Sequence, residues 1–234
     1  MTLQAHSRIG PSQAALVWHC AGSVKAQEAA GPSIAGEAAE RGTALHALAE
    51  ACLRDGTPPT DPVILPYVDA VRRAAEQAGV RPLIEQRLDL SQRHPELFGT
   101  ADALVVDLGQ GILSVFDFKS GVIHVPADAL QLIVYAGMAF VALPENEQRK
   151  IKFVDTIVVQ SNGSTGPVRR ARHTVAAILT TLSEYIDRSH AATGEPDPPR
   201  QAGPWCREHF CRARIDCEAY RAFRTRQAVD EFTA

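Results

Sequence analysis

The sequence has no long apolar run, which excludes a helix crossing a bilayer, since that needs about 20 consecutive apolar residues. Its opening stretch, MTLQAHSRIGPSQ, lacks the apolar centre of an export signal, so a cytoplasmic location and no membrane partner are expected. Neither charge is in large surplus: 24 Lys and Arg against 27 Asp and Glu leave a net charge of −3. A chain so balanced cannot hold a polyanion by overall attraction and needs a local basic face to do so. No internal repeat is present. The five cysteines are an odd number in a cytosolic-looking chain, which argues against a disulfide framework.

What is present is 234 residues with an ordinary hydrophobic share of 45%, enough for one domain with a real core. Helical patterning covers 11–30, with Ser12 as a cap, then 35–56, ending near Gly56, and 63–79, stopping at Gly79. Residues 82–91 alternate like a strand. A hairpin follows around Ala103–Val106 and Ile112–Phe118, broken by Gly109-Gln110-Gly111. A helix over 126–143 with Pro126 in its first turn, a strand over 151–161 and a loop at 162–167 come next. A long helix over 169–192, a proline-rich connection and a short final helix complete the chain. This order predicts an α/β domain with a mixed sheet of at least four strands flanked by helices.

The hairpin carries the chemistry. With its turn centred between Gly109 and Gln110, facing residues have numbers summing to 219, and Asp102 faces Asp117. Facing Cβ atoms lie roughly 5 Å apart, so two carboxylates there repel unless a cation joins them. Lys119 shares the face of Asp117. Two carboxylates and an ammonium on one spot suit Mg²⁺ or Mn²⁺, which take oxygen ligands. A surface hairpin with its charges in water is the plainer reading, but these residues interrupt an otherwise apolar pattern. Gln131 and Tyr135 lie four apart on the following helix, which crosses back toward the hairpin, and His46 and Glu50 lie four apart on the second.

Three of the cysteines crowd the segment WCREHFCRARIDC as Cys206, Cys211 and Cys217, with Cys20 far upstream. Four thiolates are the usual set for a [4Fe–4S] cluster. Zn²⁺ is the rival, with His19 and His209 also at hand, and free thiols are the third reading. Cys52, on an alanine-rich helix face, reads as a core residue. Two segments are basic: VRRARH at 168–173, read as the start of a helix, where Arg169, Arg170 and Arg172 could meet DNA, and the arginines from Arg207 to Arg226.

The ordered series Gly42-Thr43-x-x-His46, Glu85, Gly99-Thr100-Ala101-Asp102, Asp117-Phe118-Lys119 and Gln131-x-x-x-Tyr135 resembles the PD-(D/E)XK nuclease superfamily. It is most similar to the RecB-like iron–sulfur exonuclease branch of recombination and phage proteins, over roughly residues 12–220. Ala101 stands where the superfamily's name has proline. The resemblance implies a restriction-endonuclease-like fold over the whole of 1–234. Its core spans about 36–192, and Cys20 with 205–218 forms a cluster-binding part that staples the two ends. It implies His46, Asp102, Asp117 and the Phe118 carbonyl as ligands of Mg²⁺ or Mn²⁺, and Lys119 as the residue that positions and helps deprotonate water. Gln131 and Tyr135 would support the site or touch DNA, and Glu85 would lie behind the metal or serve a second one. Cys20, Cys206, Cys211 and Cys217 would hold the cluster, although the branch usually spaces its late cysteines C-x2-C-x5-C and this chain has C-x4-C-x5-C.

The expected function is therefore a metal-dependent deoxyribonuclease, exonucleolytic rather than endonucleolytic, acting in recombination, repair or phage DNA processing. Its partners would be single-stranded DNA or duplex ends and a recombination protein. The alternatives are a nucleic-acid-binding module that does not cleave, and a zinc-stabilised interaction protein.

Overall fold

The computed structural model describes residues 7–32, 36–162 and 166–233. Parts of the expected loop at 162–167 and the first residue of the expected helix at 35–56 lie outside these. Five strands form one mixed sheet: β1 (Leu83–Asp89), β2 (Phe98–Asp107), β3 (Ile112–Phe118), β4 (Phe153–Val159) and β5 (Val168–Thr174), in that spatial order. All neighbours are antiparallel except β3 and β4, which run parallel. A parallel pair needs a crossover, and α5 (Leu130–Ala142) supplies it.

The helices lie on both faces. One core is built from Leu104, Leu113, Val115 and Val154 of the sheet against Val134 and Met138 of α5 and Ile178, Leu182 and Tyr185 of α7 (Val175–Thr193). The other joins Ala103, Val105, Phe116 and Phe118 to Leu45 and Ala49 of α3 (Glu37–Asp55) and to Tyr67, Val68 and Val71 of α4 (Leu65–Ala78). Alternate residues of β2 thus serve opposite cores, as the period of two requires. Cys52 is buried in the second core.

The hairpin forms as its sequence predicts. All five paired positions of β2 and β3 sum to 219, from Ala103↔Phe116 to Asp107↔Ile112. Gly111 takes φ +71°, and a side chain there would meet the Lys150 carbonyl at 2.6 Å.

Three expectations need correction. The helix expected over 11–30 is a 3-10 turn at Pro11–Gln13 and two short helices, α1 (Ala14–His19) and α2 (Ser23–Ala29). They part at Cys20, whose extended backbone (φ −149°, ψ 90°) cannot continue a helix. The helix expected from Pro126 begins at Leu130, behind a turn closed by Ala129 N–H on the Pro126 carbonyl. The long helix expected from 169 begins only at Val175. Residues 168–174 are β5, paired along their whole length with β4. The helix signal there is Thr174, which caps α7 by accepting the Ala177 N–H at 3.2 Å. Pairing with the buried β4 overrides the helical preference of the arginines, because tertiary context outweighs local propensity.

The chain closes with α6 (Glu145–Gln148), which lies ahead of β4, and then α8 (Trp205–Glu208), a 3-10 turn at Arg212–Ile215 and α9 (Glu218–Thr233). Among the described residues no helix is long and apolar enough to cross a membrane.

Candidate metal centre and cysteine cavity

The first site lies where the hairpin's open end meets α3 from one face and α5 from the other. On β2, Asp102 accepts the Phe118 N–H through Oδ2 at 2.7 Å, while its Oδ1 stands 3.7 Å from His46 Nδ1 on α3. The pairs Ile84↔Ala103 and Gln86↔Ala101 place Glu85 opposite Asp102, and the hairpin register places Asp102 opposite Asp117. Three carboxylates therefore occupy one row across β1, β2 and β3. Glu85 adopts φ 47°, in the left-handed region that costs a non-glycine residue of order 1–3 kcal/mol and marks functional positions.

His46, Glu85 and Asp102 bring ligand atoms within 4.8 Å of one another, and they are the set among the described residues that does so. Asp117 is turned to the other side. Its Oδ1 accepts from Lys119 Nζ at 3.0 Å and from Gln131 Nε2 at 3.4 Å. Its Oδ2 is equally close to the ammonium, at 3.0 Å, but receives no well-directed hydrogen bond. Gln131 Oε1 in turn accepts from Lys119 Nζ at 3.4 Å. Tyr135 packs one helical turn on. Gly99 lets it do so, since a Cβ there would meet Tyr135 Cε1 at 3.0 Å and Pro11 Cδ at 2.9 Å.

The electrostatics follow from burial. Burial raises the Asp102 carboxyl well above its ordinary value and the Asp117 charge raises it further, against the Phe118 N–H and Lys119. Burial also raises Glu85, assisted by Glu50 and opposed by Arg54. His46 is pushed down, by burial first, and so is neutral near pH 7, the form a metal ligand requires. Burial pulls Lys119 down, but Asp117 and Asp102 outweigh it, so its ammonium is held more firmly than usual.

Sequence reasoning missed one neighbour, Tyr67 of α4. Its ring packs on Phe118 with centroids 5.2 Å apart, and its buried hydroxyl has no hydrogen-bond partner. Burial and the charges of Asp102, Glu85 and Asp117 all raise it. No short motif signals Tyr67, because only its place beneath the hairpin brings it here. The fit to a divalent cation is good. Three carboxylates face one ammonium and a neutral imidazole, and two buried oxygens, Asp117 Oδ2 and the Tyr67 hydroxyl, lack hydrogen bonds.

The second site joins the chain's ends. Cys20, at the break after α1, shares one small cavity with Cys206 of α8, and with Cys211 and Cys217 on either side of the 3-10 turn. None of the four forms a disulfide. The Gln201 N–H donates to Cys20 Sγ at 3.2 Å, and His19 stacks on Trp205 with centroids 4.7 Å apart. Burial raises the Cys20 thiol, and the neighbouring Cys206, Cys211 and Cys217 raise it further.

The arginines of β5 have partners within the fold, although Arg170 and Arg172 remain exposed. Arg172 donates to the buried Asp155 at 2.8 and 2.9 Å, and Arg170 lies 3.7 Å from the same carboxylate. Arg169 donates to Gln160 Oε1 at 2.6 Å and to the Val125 carbonyl at 3.0 Å.

The sequence model of the DUF2800 family, described as a protein of unknown function, matches residues 60–234. The chain belongs to the DUF2800 family. Glu85, Asp102, Asp117, Lys119 and the three late cysteines lie inside the matched part of this DUF2800 protein, whereas His46 and Cys20 lie before it. No curated protein matches the chain. Among solved structures, the crystal structure of SSO0001 is similar at 10% identity, over 85% of this chain and 95% of that one, with a TM-score of 0.35.

Proposed function

We propose that this DUF2800 protein is a metal-dependent deoxyribonuclease of the restriction-endonuclease-like, PD-(D/E)XK kind, similar to the RecB-like branch and exonucleolytic. The observation that carries the reading is the row of Glu85, Asp102 and Asp117 across three strands, with His46 beside Asp102 and Lys119 beside Asp117. So many acids converging on a half-buried spot are costly without a cation.

His46, Glu85 and Asp102 would hold Mg²⁺ or Mn²⁺, with Asp117 and the Phe118 carbonyl completing the set. A bound divalent ion activates water at neutral pH and neutralises phosphate oxygens. The chain's residues do the rest. Lys119, expected from the resemblance to help deprotonate water, has its ammonium held more firmly than usual by Asp117 and Asp102, so its role is to orient the attacking water and neutralise charge developing on the phosphoryl oxygens. Gln131 fixes the Lys119–Asp117 pair from α5, and Tyr135 closes that side. Asp102, whose carboxyl is raised by burial and by the Asp117 charge, is the ligand whose negative charge a bound cation would stabilise most.

For the four cysteines the reading is a structural [4Fe–4S] cluster. Tetrahedral zinc with sulfurs at about 2.3 Å brings neighbouring sulfurs to about 4 Å. Among the described residues the set packed within 4.8 Å is the His46 group and not the thiols, which surround a cavity instead. The partners are DNA and a recombination protein, and the setting is cytoplasmic.

Incubating DNA with Mn²⁺ tests the activity. Products that form with the cation and vanish with chelator support the reading; intact DNA under every divalent cation rules it out.

A further inference from the structure

The β5 arginines bond to Asp155, Gln160 and Val125 within the fold. The remaining positive charge is concentrated elsewhere. Residues 200–226 hold seven arginines against three acids, Glu208, Asp216 and Glu218, so this stretch carries +4 in a chain of net −3. In the fold, Arg207 of α8, Arg214 of the 3-10 turn, and Arg221 and Arg224 of α9 line one open groove of about 590 Å³ together with Tyr220. No carboxylate lines it. Arg214 also donates to the Cys211 carbonyl at 3.4 Å, which ties the groove to the cysteine segment.

We propose that this groove binds the backbone of single-stranded DNA and carries it across the cysteine segment. The inference rests on the nuclease reading for the identity of the strand, but the groove itself is argued from charge and shape. Arg221 and Arg224 are three apart on one helix, so they face the same way. Arginine forks pair with phosphate oxygens in two-pronged fashion. A partly buried tyrosine among them offers a face on which a base can stack, and a basic groove with an aromatic is the arrangement that holds single strands without reading sequence. A small anion would use one or two of these arginines; four lining one groove fit a polymer of phosphates.

The test is fluorescence anisotropy with a labelled 20-nucleotide oligo-dT in EDTA, where no hydrolysis interferes, at two salt concentrations. Wild type is expected to bind with a steep salt dependence. Arg221→Glu/Arg224→Glu is expected to bind about tenfold more weakly or worse, and to lose about 1.4 from the logarithmic salt slope, as two lost phosphate contacts on a single strand imply. Arg221→Gln/Arg224→Gln, a milder change on an exposed helix, checks that the effect is charge and not unfolding; it is expected to show the same slope change with unaltered circular dichroism. Unchanged affinity and slope in both variants overturns the groove, as does a wild type that binds no oligo-dT. Mn²⁺ cleavage by the same preparations separates the two claims. A wild type that cleaves while the variants bind normally sinks the groove alone. A wild type that binds as described and never cleaves sinks the nuclease reading alone.

Discussion

Glu85 on β1 faces Asp102 on β2, and the same row continues to Asp117 on β3. Carboxylates in adjacent strands at this spacing destabilise a sheet, yet they sit where burial magnifies the repulsion and where Glu85 takes a left-handed backbone conformation. The arrangement makes sense as a site whose stability depends on a cation.

The pH dependence of the metal-stripped protein follows from this. Asp102 and Glu85 are both raised in the fold above their ordinary values near 4. Raised carboxyls favour the protonated folded state, so their contribution is fully present below the unfolded values and is lost as pH climbs through the folded ones. Tm in EDTA is therefore expected to fall between about pH 4 and neutrality, and saturating Mn²⁺ to restore most of it at pH 7.5. Asp102→Asn is expected to raise the EDTA Tm by about 2–4 °C, equivalent to relief of about 1 kcal/mol, and to abolish the Mn²⁺ response. Thermal melts across pH check this; a Tm indifferent to Mn²⁺ in wild type contradicts it.

Much of this site was legible in the sequence because a hairpin has simple arithmetic. Once the turn was placed, the sum of 219 paired Asp102 with Asp117. The helices ended at Gly56 and Gly79 as expected, both in left-handed geometry. Illegible were features that depend on distant partners. VRRARH reads as a helix start, and only the neighbouring β4, with Asp155 buried beneath it, makes it a strand. Glu85 was visible as a candidate, but its place in the ligand set requires the β1–β2 register. Tyr67 depends on how α4 packs under Phe118.

The β5 arginines are structural. Asp155 is buried on β4 and its charge is balanced by Arg172 and Arg170. Arg172→Ala is expected to lower Tm by leaving that carboxylate poorly paired, with no change in the salt slope of DNA binding. Parallel melts and anisotropy decide it; a normal Tm with a shallower slope would return the DNA path to β5.

The cysteine cavity makes its own prediction. Protein prepared without oxygen is expected to be brown and to contain about four irons per chain. Cys20→Ser and Cys211→Ser are expected to lose colour and iron and to loosen the chain's ends, while Cys52→Ser, buried in the α3–α4 core, keeps both. Metal analysis is the measurement, and one zinc per chain with no iron would replace the cluster by a zinc site.

The central claim is that the acidic row and Lys119 hydrolyse DNA, and it is tested most directly by comparing wild type with Asp117→Ala on end-labelled linear and covalently closed circular DNA in Mn²⁺. Wild type is predicted to degrade the linear substrate and spare the circle. Asp117→Ala is predicted to lose activity by about 10²–10³-fold or more while keeping its circular dichroism, because Lys119 then has no carboxylate to hold it in place. Full activity in Asp117→Ala, or no Mn²⁺-dependent cleavage by wild type, would contradict the account.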